Sequence, residues 1–513
     1  MQRFLTFLAA AVVCFFAYTS AAQQHEKPNI VFILADDLGY GDLQCYNAES
    51  KVPTPNLDML ATQGMRFTDA HSPSSVCTPT RYAFLTGRYA WRSRLKSGVL
   101  WGFDKPLLED ERVTIPEMLR ATESQYATAA IGKWHLGWVW TGKDGKAINR
   151  RFHRNSAGED ALKQVDFTKP MTGGPIEHGF DVYFGDDVPN FPPYAFIEND
   201  RLTAQPTELK PNMMFGDPGP MVPGWDLQAV QPTITERAIE YILSREQRGE
   251  PFFLYMPLNI PHTPLVPNDS YIGKSQAGIY GDVVHQVDAI VGRVMKALDE
   301  ANLADNTIVI FTSDNGSPAR DGHTKPTDGS LVKGATPHTV TKKYGHVPNA
   351  PWRGLKSDIW EAGHRVPHIV RWPGVVKAGA VSAQIVCHVD WYATFADIHG
   401  MELEEDQAED SFSLLPILKG LDVPVRESVI HHSGNGTFAI RKGDWKLIEG
   451  NLGSGGFSRP GMIKPKKDGP QGQLYNLKDD PKESNNLWLK EPAKVKELLA
   501  ELNTIRKAGR SRK

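Results

Sequence analysis

The segment Cys77-Thr78-Pro79-Thr80-Arg81, followed closely by Leu85-Thr86-Gly87-Arg88, sets a thiol and a guanidinium among helix-starting residues. Thr78 can cap a helix and Pro79 suits a first turn, so Cys77 is expected at a helix N-terminus with Arg81 one turn further on. Both features favour an anion beside Cys77. Such a corner supports an activated thiolate or an oxyanion-binding site. The plainer alternative is a cysteine buried as a small hydrophobe. A second polar set is Asp36-Asp37 and Asp314-Asn315. Each pair follows an apolar, strand-like run, 29–34 and 307–312, so two loops can bring four oxygen-bearing side chains to one hard divalent cation. A lone Asp-Asp pair is more often a turn or a cap.

These groups need a scaffold. Strand-like runs alternate with helical patterns along most of the chain: after 29–34 and a helix at Pro55–Gln63 come the runs Ala127–Ile131, Phe252–Pro257 and 307–312. That is α/β usage, with function expected in the loops beyond the carboxyl ends of the strands. Helical periodicity marks 233–244 and 280–301, the latter with a stripe of Val283, Val287, Ile290, Val291, Val294 and Leu298. Beyond about Gly420 the pattern changes to short β-like pieces, Ser428–His432, 437–441 and Trp445–Glu449, then a charged helix over 492–507. The reading is a large domain over 23–420 and a small α+β domain over 421–513. Two polar segments interrupt the alternation: 141–172, with Arg150, Arg151, His153 and Arg154, and 317–349, with Lys325, Lys333, Lys342 and Lys343. Long loops of this kind are solvated surface or grips for anionic substrates.

A chain of 513 residues, 40% hydrophobic and 10% aromatic, exceeds the usual span of one compact domain. Its formal net charge of -3 argues against a dedicated nucleic-acid binder. At the N-terminus, Arg3 precedes the apolar run 4–18, which ends in Ser20, Ala21 and Ala22. This pattern reads as a secretory signal peptide over 1–22, too short for a membrane anchor, so no anchor is expected after cleavage. Cleavage removes Cys14 and leaves Cys45, Cys77 and Cys387. An odd number in an exported chain cannot be fully paired, so at least one cysteine is free, intermolecular or chemically consumed.

The Cys-x-Pro-x-Arg core with its downstream Leu-Thr-Gly-Arg resembles the signature of the type I sulfatases of the alkaline phosphatase-like superfamily. The resemblance covers nearly the whole mature chain. It implies a large mixed sheet sandwiched by helices, with a smaller C-terminal α+β domain. It also implies conversion of Cys77 to formylglycine by a maturation enzyme; one hydroxyl of the hydrated aldehyde attacks sulfur and the other, once deprotonated, expels sulfate. By the same resemblance Asp36, Asp37, Asp314 and Asn315, with Cys77 itself, hold calcium, magnesium being the alternative. Gly132-Lys133-Trp134-His135-Leu136-Gly137 resembles the block that supplies a sulfate-binding lysine, Lys133, and a histidine at the nucleophile, His135. Pro261-His262-Thr263-Pro264 and Lys356, within Trp352-Arg353-Gly354-Leu355-Lys356, complete a cationic wall suited to the charge of a sulfate ester. His262 or Lys356 is implied to protonate the leaving alcohol, and His135 to remove the hydroxyl proton that triggers elimination.

The chain departs from the family after His178-Gly179-Phe180-Asp181. Where many relatives place a sulfate-binding serine, it reads Phe184-Gly185-Asp186-Asp187-Val188-Pro189-Asn190, with Asn190 as a substitute donor. The small domain ends in the family manner, from Gln473-Leu474-Tyr475-Asn476-Leu477 to Asn486-Leu487. Trp101, Trp138, Trp140, Phe191, Tyr194 and Phe196 are compatible with stacking on a sulfated carbohydrate. Competing readings are a phosphonate monoester or phosphodiester hydrolase of the same superfamily and an inactive, glycan-binding relative. The expected compartment is periplasmic or extracellular for a bacterial source, secreted or lysosomal for a eukaryotic one.

Overall fold

A computed structural model describes residues 27–148, 157–322 and 336–512. The signal-peptide reading over 1–22, the cluster Arg150, Arg151, His153 and Arg154, and Lys325 and Lys333 lie outside the described residues.

The middle of the main sheet is five parallel strands in the order Thr307–Ser313, Asn29–Ala35, Phe252–Pro257, Ala127–Ile131 and Val182–Gly185. Antiparallel strands flank them, His368–Arg371 beside Thr307–Ser313 and Ile197–Glu198 beside Val182–Gly185, so the sheet is mixed. Strand Asn29–Ala35 is buried along its whole length. Its alternate residues point to opposite faces: Ile30, Phe32 and Leu34 enter one core, and Val31, Ile33 and Ala35 the other. Burial on both faces explains why this sequence is an unbroken apolar run rather than an alternating one.

The second core is covered by the helices Pro55–Gln63, Leu227–Leu243 and Gly278–Glu300, whose valine stripe faces the sheet as the periodicity predicts. The helix expected at 233–244 starts earlier, at Leu227, because the Asp226 carboxylate accepts from Gln228 N at 2.9 Å and caps it. On the other face lie Cys77–Thr86, Ile115–Arg120 and Asp390–Ile398. Both polar segments contain structure of their own: helix Ala157–Gln164 in the first and helix Thr339–Tyr344 in the second.

The C-terminal unit is a four-stranded antiparallel sheet, Ser428–His432, Phe438–Lys442, Trp445–Glu449 and Gly472–Asn476, with helix Pro492–Ala508 packed on it. Leu498 and Leu502 of that helix meet Val429, Ile440, Leu447 and Leu474 in a third core, which Tyr89, Trp91 and Cys387 of the larger unit also enter.

Candidate active site

Each of the five parallel strands sends polar residues past its carboxyl end: Asp36-Asp37, Lys133 to His135, His262, Asp314-Asn315 and Asp186-Asp187. Ligand sites belong at this edge of a parallel sheet. Backbone hydrogen bonds stitch the loops together there, from Asp36 N to Ile260 O (3.1 Å), Lys133 N to Pro257 O (2.8 Å) and Asp314 N to Ala35 O (3.0 Å). Gly132, at φ +137°, lets the chain turn where a Cβ would stand 1.9 Å from the Pro257 carbonyl oxygen. Asp37 (φ 72°) and His135 (φ 58°) hold left-handed conformations that non-glycine residues rarely adopt, a cost that recurs at functional sites.

Cys77 reaches the same place from the helix side. The helix begins at Cys77 itself, with extended Val76 as its N-cap. Thr78 is therefore not the cap the sequence suggests; its hydroxyl instead accepts from Leu100 N at 3.2 Å. Gly87 closes the helix in a left-handed conformation, donating to Ala83 O, and Arg88 continues into Glu409 at 3.0 Å. The Leu-Thr-Gly-Arg segment is thus a helix stop and an anchor. Burial pushes the Cys77 thiol up to about 11, against the opposing pull of Lys133 and Lys356. In an unmodified Cys77 this shift favours the neutral thiol over the activated thiolate.

Around Cys77 the charges interlock. Lys133 Nζ lies 2.5 Å from Asp36 Oδ2, Arg81 Nη2 is 2.8 Å from Asp314 Oδ2, and Lys356 Nζ is 2.5 Å from Asp37 Oδ1 and 3.5 Å from Cys77 Sγ. Asn315 Nδ2 donates to Asp37 Oδ1 at 2.7 Å, and Asp37 N to Asp314 Oδ1 at 3.2 Å. Burial opposes ionisation of Asp36, but Lys133, His262, Arg81 and Lys356 outweigh it and hold this carboxylate below its usual range. Asp314 moves the other way, up to about 7, through burial and the neighbouring Asp36 charge.

His262 donates from Nδ1 to Thr263 O at 2.7 Å, which leaves Nε2 facing Asp37 Oδ2 at 3.8 Å. Burial and Lys356 depress it to about 4. His135 points Nε2 at Leu100 O (2.9 Å) and packs against Phe191, and burial followed by Lys133 keeps it neutral well below the usual range. Its Nδ1 is shielded and has no hydrogen-bond partner among the described residues, so the unpaired lone pair of the neutral ring can accept a proton.

A divalent cation fits this corner. Ligand atoms of Asp36, Asp37, Cys77 and His262 lie within 4.8 Å of one another. Asp36 Oδ1 and Asn315 Oδ1 are fully shielded and lack a hydrogen-bond partner among the described residues, a costly state that a hard cation relieves. Asp314 contributes to the same corner through its bonds to Arg81 and Asp37. All the residues singled out in the sequence, Asp36, Asp37, Cys77, Arg81, Lys133, His135, His262, Asp314, Asn315 and Lys356, come together here.

Comparison with known proteins supplies the lineage. A family model described as Sulfatase matches residues 28–401. The chain belongs to the sulfatase family. It is 36% identical over 507 residues to an N-acetylgalactosamine-6-O-sulfatase of Bacteroides thetaiotaomicron, covering 94% of each chain, and 32% identical to human arylsulfatase A, covering 90% of this chain and 83% of that one. A solved structure described under metabolism of multiple glycosaminoglycans by the same Bacteroides species superposes with a TM-score of 0.77 at 33% identity, covering 94% of this chain and 99% of that one. This is a sulfuric ester hydrolase of type I, in the alkaline phosphatase-like superfamily.

One expectation about the sulfatase pocket needs correction. Trp138, Trp140 and Tyr194 are buried in hydrophobic cores and present no ring to a sugar. Trp101 and Phe191 form a stacked pair with ring centres 5.1 Å apart beside His135, so the aromatic rim is smaller than the sequence suggests. Asn190 accepts from Tyr194 Oη and Asp217 N through its backbone carbonyl, while its side-chain Oδ1 is shielded without a hydrogen-bond partner among the described residues; a further polar group on that loop is Asp187. Asp187 accepts from His135 N at 3.2 Å and is raised to about 7 by burial and by Asp186. The rule that places Asp36-Asp37 at a strand end applies equally to Asp186-Asp187 after Val182–Gly185.

Proposed function

We propose that this sulfatase is an exported enzyme that hydrolyses a sulfate monoester on a carbohydrate, using formylglycine made from Cys77 and a divalent cation, calcium before magnesium. The observation that carries the reading is the position of Cys77 at the start of a buried helix, 3.5 Å from Lys356 and within one cluster with Asp36 and Asp37. The names of the relatives make 6-O-sulfated N-acetylgalactosamine the first candidate substrate.

Asp36, Asp37, Asp314 and Asn315, with the modified residue, would hold the cation, which when bound would supply positive charge for an anionic nucleophile and the sulfate. Lys133, Lys356 and His262 orient the sulfate and balance the charge that grows on its oxygens. Arg81 fixes Asp314 and the Lys133 carbonyl, the latter at 3.0 Å. One hydroxyl of the aldehyde hydrate forms a bond to sulfur as the S–O bond to the sugar breaks, its proton passing to the Asp314 carboxylate, whose proton affinity is raised by burial and by Asp36. The leaving alcohol takes a proton from Lys356, whose ammonium is stabilised by Asp37 despite burial; His262 is the alternative donor. His135 Nδ1 then accepts the proton of the second hydroxyl. The C–O bond to sulfate breaks, the aldehyde returns, and water rehydrates it.

Export rests on the 1–22 segment; among the described residues no helix is long and apolar enough to cross a membrane. The test is the mass of the tryptic peptide containing Cys77, from protein produced with a formylglycine-generating enzyme, together with sulfate release from sulfated sugars. An aldehyde mass with release from 6-O-sulfated N-acetylgalactosamine supports the reading. Release from other sulfated sugars alone rejects that substrate, and an aldehyde with turnover of phosphonate or phosphodiester substrates alone rejects the assigned chemistry.

A further inference from the structure

The arginines buried in this protein meet carboxylates: Arg92 reaches Asp410 at 2.7 Å, Arg426 reaches Asp390 at 2.6 Å, and Arg441 reaches Asp69 at 2.8 Å. Arg320 is the contrast. It is largely shielded, yet it has no ion pair among the described residues, and its Nε is buried without a hydrogen-bond partner. Its guanidinium lies over the ring of Phe457, 5.1 Å from the centre. Removing a guanidinium from water without a carboxylate is unfavourable, and an aromatic face offsets only part of that cost.

The backbone on both sides of Arg320 is fixed. Ala319 takes φ 51° and accepts from Val340 N at 3.1 Å, while Asp321 accepts from Tyr344 at 3.1 Å and from Lys343 at 3.2 Å. Two residues upstream of that turn, Ser317 O accepts from Lys356 N at 3.1 Å, tying the Arg320 loop to the site lysine. Phe457 arrives from the C-terminal unit on a strap tied to the same segment. Gly456 lies so close to Ser357 that a Cβ would stand 2.2 Å from its carbonyl carbon, and Ser458 N donates to Asp358 at 3.0 Å. Arg320 and Phe457 therefore meet beside Lys356, and Asp37 is the charge that Arg320 feels most among its neighbours.

We propose that Arg320 is a specificity-determining residue that binds a second anionic group of the substrate, on the sugar next to the one carrying the reacting sulfate, with the exposed edge of Phe457 supporting that sugar. This rests on the carbohydrate-sulfate reading above and names the substrate class further: a glycan with at least two negative charges on adjacent residues. The reacting sulfate already faces Lys133, Lys356 and His262, so the Arg320 fork is left for a neighbour. A planar guanidinium offers two parallel N–H donors, which matches a carboxylate or a second sulfate equally.

The test compares wild type, Arg320→Ala and Arg320→Lys in the matured full chain on four substrates: an aryl sulfate, a monosulfated monosaccharide, a disaccharide whose second sugar carries a carboxylate, and one whose second sugar carries a sulfate. Arg320→Ala should lower kcat/KM for one or both charged disaccharides by about 10- to 100-fold, mainly through KM, while the singly charged substrates change less than about 3-fold. The disaccharide that loses more identifies the anion. Arg320→Lys should recover part of the loss, as a point charge without the fork. Equal losses on all four substrates, or none on either disaccharide, overturn the proposal. Binding of the disaccharides to Cys77→Ser protein with and without Arg320→Ala gives a second reading that needs no turnover. If wild type releases sulfate from no sugar yet binds a charged disaccharide through Arg320, the carbohydrate-sulfatase reading fails and the anion site stands.

Discussion

The buried clusters of charge among the described residues include one around Cys77 and one where the C-terminal sheet meets the main domain. The second joins Asp69, Glu361 and Glu483 to Arg365, Arg441 and Lys446, with His71, His364 and His431 packed among them. Its acids are met on several sides: Asp69 by Arg441 at 2.8 Å and His71 at 2.7 Å, Glu361 by Arg441 at 3.0 Å and Lys446 at 3.1 Å, and Glu483 by Lys446 at 2.9 Å. The Cys77 cluster also pairs its charges, and both clusters keep shielded atoms without a hydrogen-bond partner among the described residues: Asp36 Oδ1 and Asn315 Oδ1 in the corner, Glu483 Oε1 and His431 Nε2 at the junction, where Lys446 still stands 2.9 Å from the Glu483 oxygen. Similar residues thus do different work. At the junction each carboxylate is met by a cation, across residues of two units; at the corner the two unpartnered oxygens belong to residues proposed to hold a cation beside Cys77.

The comparison predicts that substitutions in the corner damage activity while those at the junction damage stability. The largest effect is expected for Cys77→Ser. Serine offers a single hydroxyl, so any sulfated adduct has no second oxygen to expel it. Turnover should fall by at least about 10⁴-fold with the unfolding midpoint nearly unchanged. Steady-state sulfate release and a thermal melt check both halves, and repeated turnover by this variant at the wild-type rate would remove the two-hydroxyl mechanism.

Next in size is Glu361→Ala, which takes one of two carboxylate partners from each of the buried cations Arg441 and Lys446 and leaves them to Asp69 and Glu483. Breaking a buried pair from one side costs about 3–5 kcal/mol, and the expected result is a clear drop in denaturant midpoint with kcat per folded molecule close to wild type. A stable but inactive variant would show instead that the junction takes part in the site. Asp36→Asn tests the reverse. It leaves Lys133 without its carboxylate partner and weakens the cation corner, so kcat should fall by about 10²- to 10³-fold, with a stability change smaller than that of Glu361→Ala. Metal content measured on the same samples should fall with the activity.

The two clusters also differ in how far the sequence reveals them. Cys77 to Arg81, Asp36-Asp37 and Lys133 to His135 are short segments whose local geometry, a helix start or a strand end, is written in neighbouring residues. The parallel strands were legible for the same reason: burial on both faces requires unbroken apolar runs such as Phe252–Pro257. The junction has no such signature. Asp69 and Arg441 are 372 positions apart, and nothing in the local pattern pairs them. Arg320 escaped notice likewise, because its role depends on Phe457 arriving from another unit. Aromatic residues failed in the opposite direction: Trp138 and Tyr194 look like a sugar platform by type, yet core packing takes their faces.

The smallest expected effect distinguishes the clusters by pH. His71, His364 and His431 are all held below their ordinary value of 6.5, chiefly by burial; Lys446 adds to the depression for His364 and His431, and Arg441 for His71. A histidine whose folded value is depressed binds fewer protons folded than unfolded in the interval between the two values. Stability from these rings is therefore complete above about pH 6.5 and declines as pH falls below it, by at most about 1.4 kcal/mol per pH unit for each ring. Asp69 and Glu361 add a separate loss at lower pH, since Arg365 and Arg441, and Lys446 and Arg441 respectively, hold them below the usual carboxylate range against burial. That contribution is present above the unfolded value near 4 and disappears as pH falls through the folded one. Chemical denaturation between pH 7.5 and 4.5 isolates the histidine interval. His431→Gln, which removes a titrating ring from the stack with His364, should flatten the slope there while leaving the Cys77 peptide as fully converted as in wild type. An unchanged slope would mean that the junction rings titrate alike in the folded and unfolded chain, and that the stability of the junction rests on its carboxylates alone.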